Sequence, residues 1–142
     1  AENFSSVADE KGILLVKQLE SNLPMVHVDP ARISPVLQNL LANALRHTSA
    51  GGTITLTSRL VAQGVELVVA DTGEGILPEH LAHVFDRFYR TDLARSRDKG
   101  GAGLGLAIAR AIVEAHNGQI SVASSGVPGH GSAFTILMPV SN

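Results

Sequence analysis

Strand-like segments come in adjacent pairs along this chain, and helical segments do not alternate with them. Thr53, Thr55 and Thr57 alternate with Ile54, Leu56 and Ser58, which predicts a half-buried antiparallel strand, and residues 65–71 follow as its partner across a Gln-Gly turn. Residues 119–125 and 132–140 form a second predicted pair. Because alternating strands and helices would instead build a parallel sheet, we predict an α+β fold: a two-layer α/β sandwich with a mixed, mostly antiparallel sheet and helices on one face.

The secondary structure of other segments is less clear from the sequence. Residues 12–20 carry apolar side chains whose spacing suits either a strand or a helix. Residues 25–28 predict a brief strand that ends at Asp29-Pro30, a pair typical of a helix start. The polar, glycine-containing stretch after residue 71 leads into a predicted short helix.

A long helix is predicted from Pro30 to about His47. Pro35 lies one turn in and lacks an amide donor, so we expect the helix to kink or restart there with Ser34 as its cap. The prediction depends on apolar residues at helical spacing, which are Ile33, Val36, Leu37, Leu40, Leu41, Ala44 and Leu45.

A second long helix is predicted over residues 104–116, with Gly118 as its stop signal. This segment is rich in apolar residues and contains no proline. The residues predicted to share one face of it are Leu104, Ile108, Ile112 and Ala115.

Composition excludes several classes of function. The 142 residues suit one domain, and a net charge of −2 gives no overall attraction to nucleic acid or to an anionic membrane. The chain has no cysteine, so disulfides, thiol nucleophiles and Cys-ligated zinc are excluded. No apolar run reaches the length of a membrane span. Because the sequence starts at Ala1 without a start signal, we expect a fragment of a longer polypeptide.

Two asparagines, Asn39 and Asn43, interrupt the apolar pattern of the long helix. Asparagine is a mediocre helix former because its amide competes with the backbone for hydrogen bonds. At a spacing of four residues the two amides share one face of the helix. Mg²⁺ binds hard oxygen ligands and needs only one or two from the protein when phosphates supply others. The pair could therefore bind such a metal, or the amides could satisfy each other or cap a loop.

The stretch DTGEG directly follows a predicted strand and begins at Asp71. A carboxylate at a strand end can accept a hydrogen bond from a ligand amine, and glycines let a flat ring approach the backbone closely. Asp71 is therefore a candidate ligand-binding residue, although a plain turn has the same composition.

The stretch GGAGLGL opens the second long helix. Glycines before a helix leave free amides and the positive end of the dipole facing outward, which is typical of a phosphate site. The spacing Gly101-x-Gly103-x-Gly105 does not match a dinucleotide-binding fingerprint, because Leu106 stands where the third glycine would fall. No Lys-Ser/Thr pair follows, so a P-loop is disfavoured as well.

The segment before these glycines is highly charged. Acidic residues alternate with basic ones there, which fits a solvated loop, whereas a mobile lid that supplies cations to a triphosphate is the functional alternative. The residues concerned are Arg87, Arg90, Arg95, Arg97, Lys99, Asp86, Asp92 and Asp98. Further back, His80 and His83 have a spacing that could share a metal, but surface positions are the commoner explanation.

Four of these segments, in this order, resemble the catalytic, ATP-binding domain of bacterial sensor histidine kinases, within the GHKL class that includes Hsp90, DNA gyrase B and MutL. NLLANALRHT resembles the N box, DTGEG the G1 box, FDRFYR the F box and GAGLGLAIAR the G2 box. FDRFYR favours the kinases over the other members. The similarity extends from about Ile13 to Pro139, and it implies one catalytic domain over residues 1–142 with the Bergerat fold and a flexible ATP lid.

The resemblance implies a site for ATP and Mg²⁺. Asn43 and Asn39 would bind the metal, and Asp71 would accept a hydrogen bond from the adenine amine. Arg46 stands where the family usually has lysine and would contact phosphate, whereas His47 stands where many members have tyrosine and would lie beside the adenine. The residues that would shape the adenine pocket are Gly73, Gly75 and Ile76.

The resemblance gives the catalytic roles to Asn43 and to Arg90, which could reach the γ-phosphate from the end of the F box next to Tyr89. Phe85 and Phe88 would anchor the lid in apolar pockets, and the lid at 91–100 is expected to be mobile without nucleotide. The residues of the G2 box that would lie against the triphosphate are Gly101, Gly103, Leu104, Gly105 and Leu106.

The activity implied is transfer of the γ-phosphoryl group of ATP to a histidine on a separate dimerisation domain, leaving ADP. No segment here resembles the helix that carries that histidine, so the acceptor should lie outside this chain. A response regulator would be an indirect partner, and the domain would be cytoplasmic, without membrane or nucleic-acid contact, in a membrane-anchored parent. The alternatives are a related serine kinase that phosphorylates an anti-sigma antagonist, and a non-catalytic nucleotide-binding module.

Overall fold

The computed structural model describes residues 2–19, 30–62, 64–81, 83–86, 105–127 and 129–139. Four helices and five strands are present in these ranges. The helices are α1 (Glu2–Lys11), α2 (Pro30–His47), α3 (Pro78–Leu81) and α4 (Gly105–Ala115), and the strands are β1 (Leu14–Leu19), β2 (Thr53–Val61), β3 (Gly64–Asp71), β4 (Gln119–Ser124) and β5 (Ser132–Met138).

The strands form one mixed sheet in the order β1-β2-β3-β5-β4. β1 runs parallel to β2, and the remaining neighbours are antiparallel. The parallel pair is possible because α2 carries the chain back between β1 and β2. The predicted α+β sandwich with a mostly antiparallel sheet is therefore confirmed.

The core lies between the sheet and the two long helices. Alternate residues of β2 and β5 are buried, as the period of two requires for strands with one covered face. Val36 and Leu40 of α2 and Val113 of α4 are fully buried against them. The strand residues in the same core are Ile54, Leu56, Val69, Phe134, Ile136 and Met138.

The amino-terminal part of the chain differs from expectation in two ways. α1 is not among the predicted elements, because its mostly polar sequence has no clear apolar stripe; Ala8 is nevertheless buried. The ambiguous segment 12–20 is a strand from Leu14 onward. The turn between α1 and β1 is made by Gly12, whose φ is 73°, and the buried Ile13 donates to the Ala8 carbonyl to close the helix end.

Both long helices differ from expectation in detail. α2 runs continuously from Pro30 to His47 through Pro35, so it does not restart at Ser34. The fully buried residues of α4 are Ala109 and Val113. Of the residues predicted to share one face, Ile112 packs against the core, whereas Ile108 is 46% exposed. A helix with apolar residues around most of its circumference does not specify its inner face by periodicity alone.

The end of α4 also differs in detail. Asn117 adopts the left-handed conformation with φ of 63°, and the Gly118 amide donates to the Val113 carbonyl. The helix therefore ends in a Schellman motif with asparagine at the special position. Within the described residues, no helix combines the length and apolar character needed to cross a membrane. The predicted strand at 25–28 lies outside the described residues.

Candidate functional site

Asp71 is the last residue of β3 and is only 6% exposed. Its Oδ1 accepts hydrogen bonds from the amides of Gly73 at 2.9 Å and Ser132 at 3.3 Å, and its Oδ2 accepts one from the Ser132 hydroxyl at 3.1 Å. These bonds fix the orientation of a buried carboxylate at the end of the sheet. An acceptor held in this way can still receive a ligand N–H, because each carboxylate oxygen has two lone-pair sites.

Ser132 is not among the predicted site residues. It begins β5, and the register Ala70↔Ala133 between β3 and β5 places it opposite Asp71. The sequence shows two strands at these places but not which strand pairs with β3. The position of Ser132 follows once the antiparallel pairing is known.

Two glycines allow unusually close backbone contacts around Asp71. A Cβ added to Gly131, whose φ is 66°, would lie 1.7 Å from the Asp71 carbonyl oxygen. A Cβ added to Gly73 would lie 2.1 Å from the carbonyl oxygen of His47. The loop after β3 therefore passes directly over the carboxyl end of α2, and glycine is required at both contacts.

His47 and Glu74 connect α2 to this loop through both main chain and side chain. The Glu74 amide donates to the His47 carbonyl at 3.2 Å, and the His47 Nδ1 lies 2.5 Å from the Glu74 Oε2. The two side chains are 25% and 26% exposed, respectively. Glu74 is not among the predicted site residues, since a glutamate between two glycines carries no signal of its partner.

Ser124, at the end of β4, connects the loop to the far edge of the sheet. Its hydroxyl accepts from the Ile76 amide at 2.8 Å and donates to the Gly131 carbonyl at 2.9 Å. A Cβ added to Gly75, whose φ is 79°, would lie 3.2 Å from the same hydroxyl. Ser124 is a further contributor that the sequence does not mark, and it holds Ile76 with its side chain packed against the core.

Asn39 and Asn43 are both covered by the fold, and Asn39 lies close to the start of α4. Asn43 is buried at 7% exposure, and Asn39 is partly buried. Gly105, the first residue of α4, packs so close that an added Cβ would lie 3.3 Å from the Asn39 Oδ1. The structure therefore brings Asn39 to the amino-terminal end of α4, where partial positive charge favours anions, and Asn43 lies one turn further along α2.

The asparagine pair fits a Mg²⁺ ligand set in its chemistry. The Asn43 Oδ1 is a hard, neutral oxygen on a buried side chain, and the Arg46 guanidinium donates to it over a long 3.5 Å. Arg46 itself is exposed. A bond of that length is weak, so exchanging it for a metal contact would cost little.

Several predicted site residues lie outside the described residues: Tyr89, Arg90, Gly101, Gly103 and Leu104, together with the 91–100 segment and Phe88. Leu106 is described and packs against the core. Phe85 also packs on the core and meets Phe134 edge-on at 6.0 Å, which suits the anchoring role expected of it.

His80 and His83 each lie near a carboxylate of a neighbouring residue. His80 lies 3.8 Å from Glu79, and His83 lies 3.0 Å from Asp86. Among the residues that the structure describes, no group of three His, Cys, Asp or Glu side chains could hold a metal ion. The side chain of His83 is 52% exposed, whereas that of His80 is 21% exposed.

A family model agrees with the fold. The model described as "Histidine kinase-, DNA gyrase B-, and HSP90-like ATPase" matches residues 28–142, which include every candidate site residue named above. The match covers most of the chain.

Individual proteins are also similar to this chain in sequence or in structure. The sensor histidine kinase CusS of Escherichia coli K12 is 40% identical over 136 residues, which are 96% of this chain and 27% of CusS. The mycobacterial sensor histidine kinase MprB has a structure with a TM-score of 0.81 and 29% identity, covering 97% of this chain and 91% of that one. Full-length ShkA in complex with AMPPNP gives a TM-score of 0.82 and 35% identity, covering 99% of this chain and 28% of that one.

Proposed function

The chain belongs to the histidine kinase-, DNA gyrase B- and HSP90-like ATPase family, and from that premise we propose that it is a sensor histidine kinase catalytic domain. It binds Mg-ATP and donates the γ-phosphoryl group to a histidine on a separate dimerisation domain. The observation that carries this proposal is the buried Asp71 carboxylate, fixed by Gly73 and Ser132 at the end of β3. Kinase relatives support it, although the chain spans only 27% of the length of CusS.

The base of the nucleotide is assigned to the Asp71 end of the site. A buried, oriented carboxylate is an acceptor, and the exocyclic amine of adenine is the complementary donor. Gly73 and Gly75 keep the neighbouring surface free of side chains, so a flat ring can lie against the loop. AMPPNP, the ligand of the ShkA structure, is an adenine nucleotide, which supports this assignment.

The triphosphate is assigned to the α2 and α4 end of the site. Asn43 and Asn39 would hold Mg²⁺, which when bound neutralises phosphate charge. Gly105 and Leu106 open α4, where free amides favour anions. Arg46 would contact phosphate. The other residues proposed to contact the triphosphate lie outside the described residues and are Arg90, Gly101, Gly103 and Leu104.

The proposed transfer requires an acceptor histidine, and no segment of this sequence resembles the helix that carries one. An imidazole nitrogen of the acceptor histidine attacks the γ-phosphorus, and the bond between that phosphorus and the bridging oxygen breaks to release ADP. The domain contributes positioning and charge neutralisation rather than a covalent step. We further propose that residues 1–142 act as one domain of a membrane-anchored, cytoplasm-facing kinase that serves a response regulator.

The test combines the 142-residue chain, Mg-ATP labelled at the γ-position and the histidine-bearing domain of the parent protein. We expect label on that domain as an acid-labile phosphate. Asn43→Ala should reduce transfer by at least about 100-fold if it removes a metal ligand, since groups that stabilise developing charge typically contribute this much. His80→Ala is the matched control and should transfer normally.

Other outcomes identify the alternatives. Label on serine, stable in acid, would indicate the related serine kinase. ATP binding without labelling of any protein would indicate a non-catalytic nucleotide-binding module. Equal transfer by Asn43→Ala and by the unsubstituted chain would contradict the proposed metal site.

A further inference from the structure

Glu74 has a geometry that its place in a glycine-rich loop does not explain. Its carboxylate lies 2.5 Å from the Nδ1 of His47, a residue 27 positions earlier at the carboxyl end of α2. Loop glutamates normally extend into solvent, but this one is 26% exposed and directed at a ring that is itself 25% exposed. The carboxylate therefore orients that ring.

We infer that Glu74 is a positioning residue of the nucleotide site, which holds the imidazole of His47 in the orientation that receives the base of ATP. This inference rests on the proposed function and assigns the pocket a residue beyond its glycines and Asp71. In this role Glu74 acts on the nucleotide through His47.

The short contact has a defined chemical consequence for the ring. A carboxylate is an acceptor, so the neighbouring Nδ1 of His47 must carry a proton in order to donate. In a neutral imidazole the other nitrogen, Nε2, is then the acceptor, because the hydrogen bond made by one nitrogen decides the state of the other. Glu74 therefore selects a tautomer as well as an orientation, whereas a tyrosine at the His47 position would need no such partner.

The effect of the Glu74 side chain can be measured without disturbing the backbone of the loop. The Glu74 amide donates to the His47 carbonyl at 3.2 Å, and the Gly73 carbonyl accepts from the Gly129 amide at 2.8 Å. Both bonds involve main-chain atoms only, so Glu74→Ala and Glu74→Gln leave them in place. A change in these variants reports the carboxylate rather than collapse of the loop.

The experiment measures ATP affinity and the His47 tautomer in the 142-residue chain. In Glu74→Ala, we expect ATP affinity to fall about 3- to 10-fold, as for loss of one hydrogen bond. In alkaline solution, ¹⁵N-detected correlations of the imidazole should show the Nδ1–H form in the unsubstituted chain and a shift toward Nε2–H in Glu74→Ala. Glu74→Gln keeps an acceptor oxygen, so it should restore the Nδ1–H form and most of the affinity.

A double-mutant cycle tests whether Glu74 acts through the ring. His47→Ala should weaken ATP binding by itself, and adding Glu74→Ala to it should cause no further loss. The matched control is Glu66→Ala on β3, which removes a carboxylate that lies 2.7 Å from the mostly exposed Arg59. This variant should change neither the affinity nor the tautomer.

Three results would overturn the inference. One is an unchanged tautomer in Glu74→Ala; another is unchanged ATP affinity in that variant; the third is an equal loss from Glu74→Ala with and without His47. Absence of ATP binding by the unsubstituted chain would refute the proposed function and the inference together. The tautomer measurement needs no nucleotide. If the His47 tautomer then still shifted in Glu74→Ala, the contact between His47 and Glu74 would be purely structural.

Discussion

At the scale of single residues, the site depends on glycines that let separate parts of the backbone touch. Gly131 combines two requirements, since its φ is 66° and an added Cβ would overlap the Asp71 carbonyl oxygen. Gly51 combines a similar φ of 90° with open space around the added Cβ. Comparing alanine substitutions at the two glycines therefore separates the cost of left-handed strain from the cost of steric overlap.

We predict that Gly131→Ala lowers the free energy of unfolding by about 3 kcal/mol, of which left-handed strain contributes about 1–2 kcal/mol and overpacking the rest. Gly51→Ala should lose only the strain, about 1–2 kcal/mol. Urea unfolding followed by circular dichroism measures both. Equal losses in the two variants would contradict the close contact between Gly131 and Asp71.

The sequence identifies some candidate site residues, but it does not identify the residues that they contact. Asp71 and the asparagines stand out because a carboxylate after a strand and two amides in an apolar helix are both unusual. Ser132 and Glu74 do not, because serine and glutamate are ordinary in loops and at strand ends, and their importance arises from β3–β5 pairing and from the approach of α2. Assignments of Asp71, Asn39 and Asn43 to a ligand remain predictions.

At the scale of elements, helix ends were easier to predict than helix faces. Gly118 marks the end of α4 to within one residue of Asn117, where the left-handed turn occurs. The apolar spacing does not single out Ala109 and Val113 as the fully buried residues, because apolar residues surround α4. Packing against α2 and β4 decides which residues are buried, and that information is absent from the local sequence.

A pair of substitutions in α4 tests its buried face. Val113→Ala should lower the free energy of unfolding by about 2 kcal/mol, because Val113 is fully buried and the lost methyls leave a cavity. Ile108→Ala removes more carbon atoms but from a side chain that is 46% exposed, so it should cost less than about 0.5 kcal/mol. Chemical denaturation of both variants is the measurement, and the opposite order would contradict the burial of Val113.

At the scale of the whole molecule, the sheet brings its candidate site residues to one end of its strands. β3 ends at Asp71, β4 ends at Ser124 and β5 begins at Ser132, so three strands contribute from the same end. The fold class follows from the paired strands in the sequence. The site does not, because it forms only when β5 inserts between β3 and β4 and α2 lies across them.

This arrangement predicts that a nucleotide stabilises the fold and that the base decides by how much. Mg-ATP at 100 times its dissociation constant should raise the free energy of unfolding by about 2.7 kcal/mol. GTP at the same concentration should stabilise less, because guanine places a carbonyl oxygen where adenine has its amine, and two acceptors would then face each other at Asp71. Thermal unfolding at fixed Mg²⁺ measures both shifts.

Asp71→Asn provides the matched variant for that comparison. Its amide oxygen can still accept from the Gly73 amide, and the Ser132 hydroxyl can reverse its role and accept from the new NH₂, so the fold should be retained. The amide nitrogen would then oppose the adenine amine and suit a carbonyl oxygen, which should reduce the ATP shift more than the GTP shift. A preference for ATP that survives in Asp71→Asn would assign base selection to another part of the pocket.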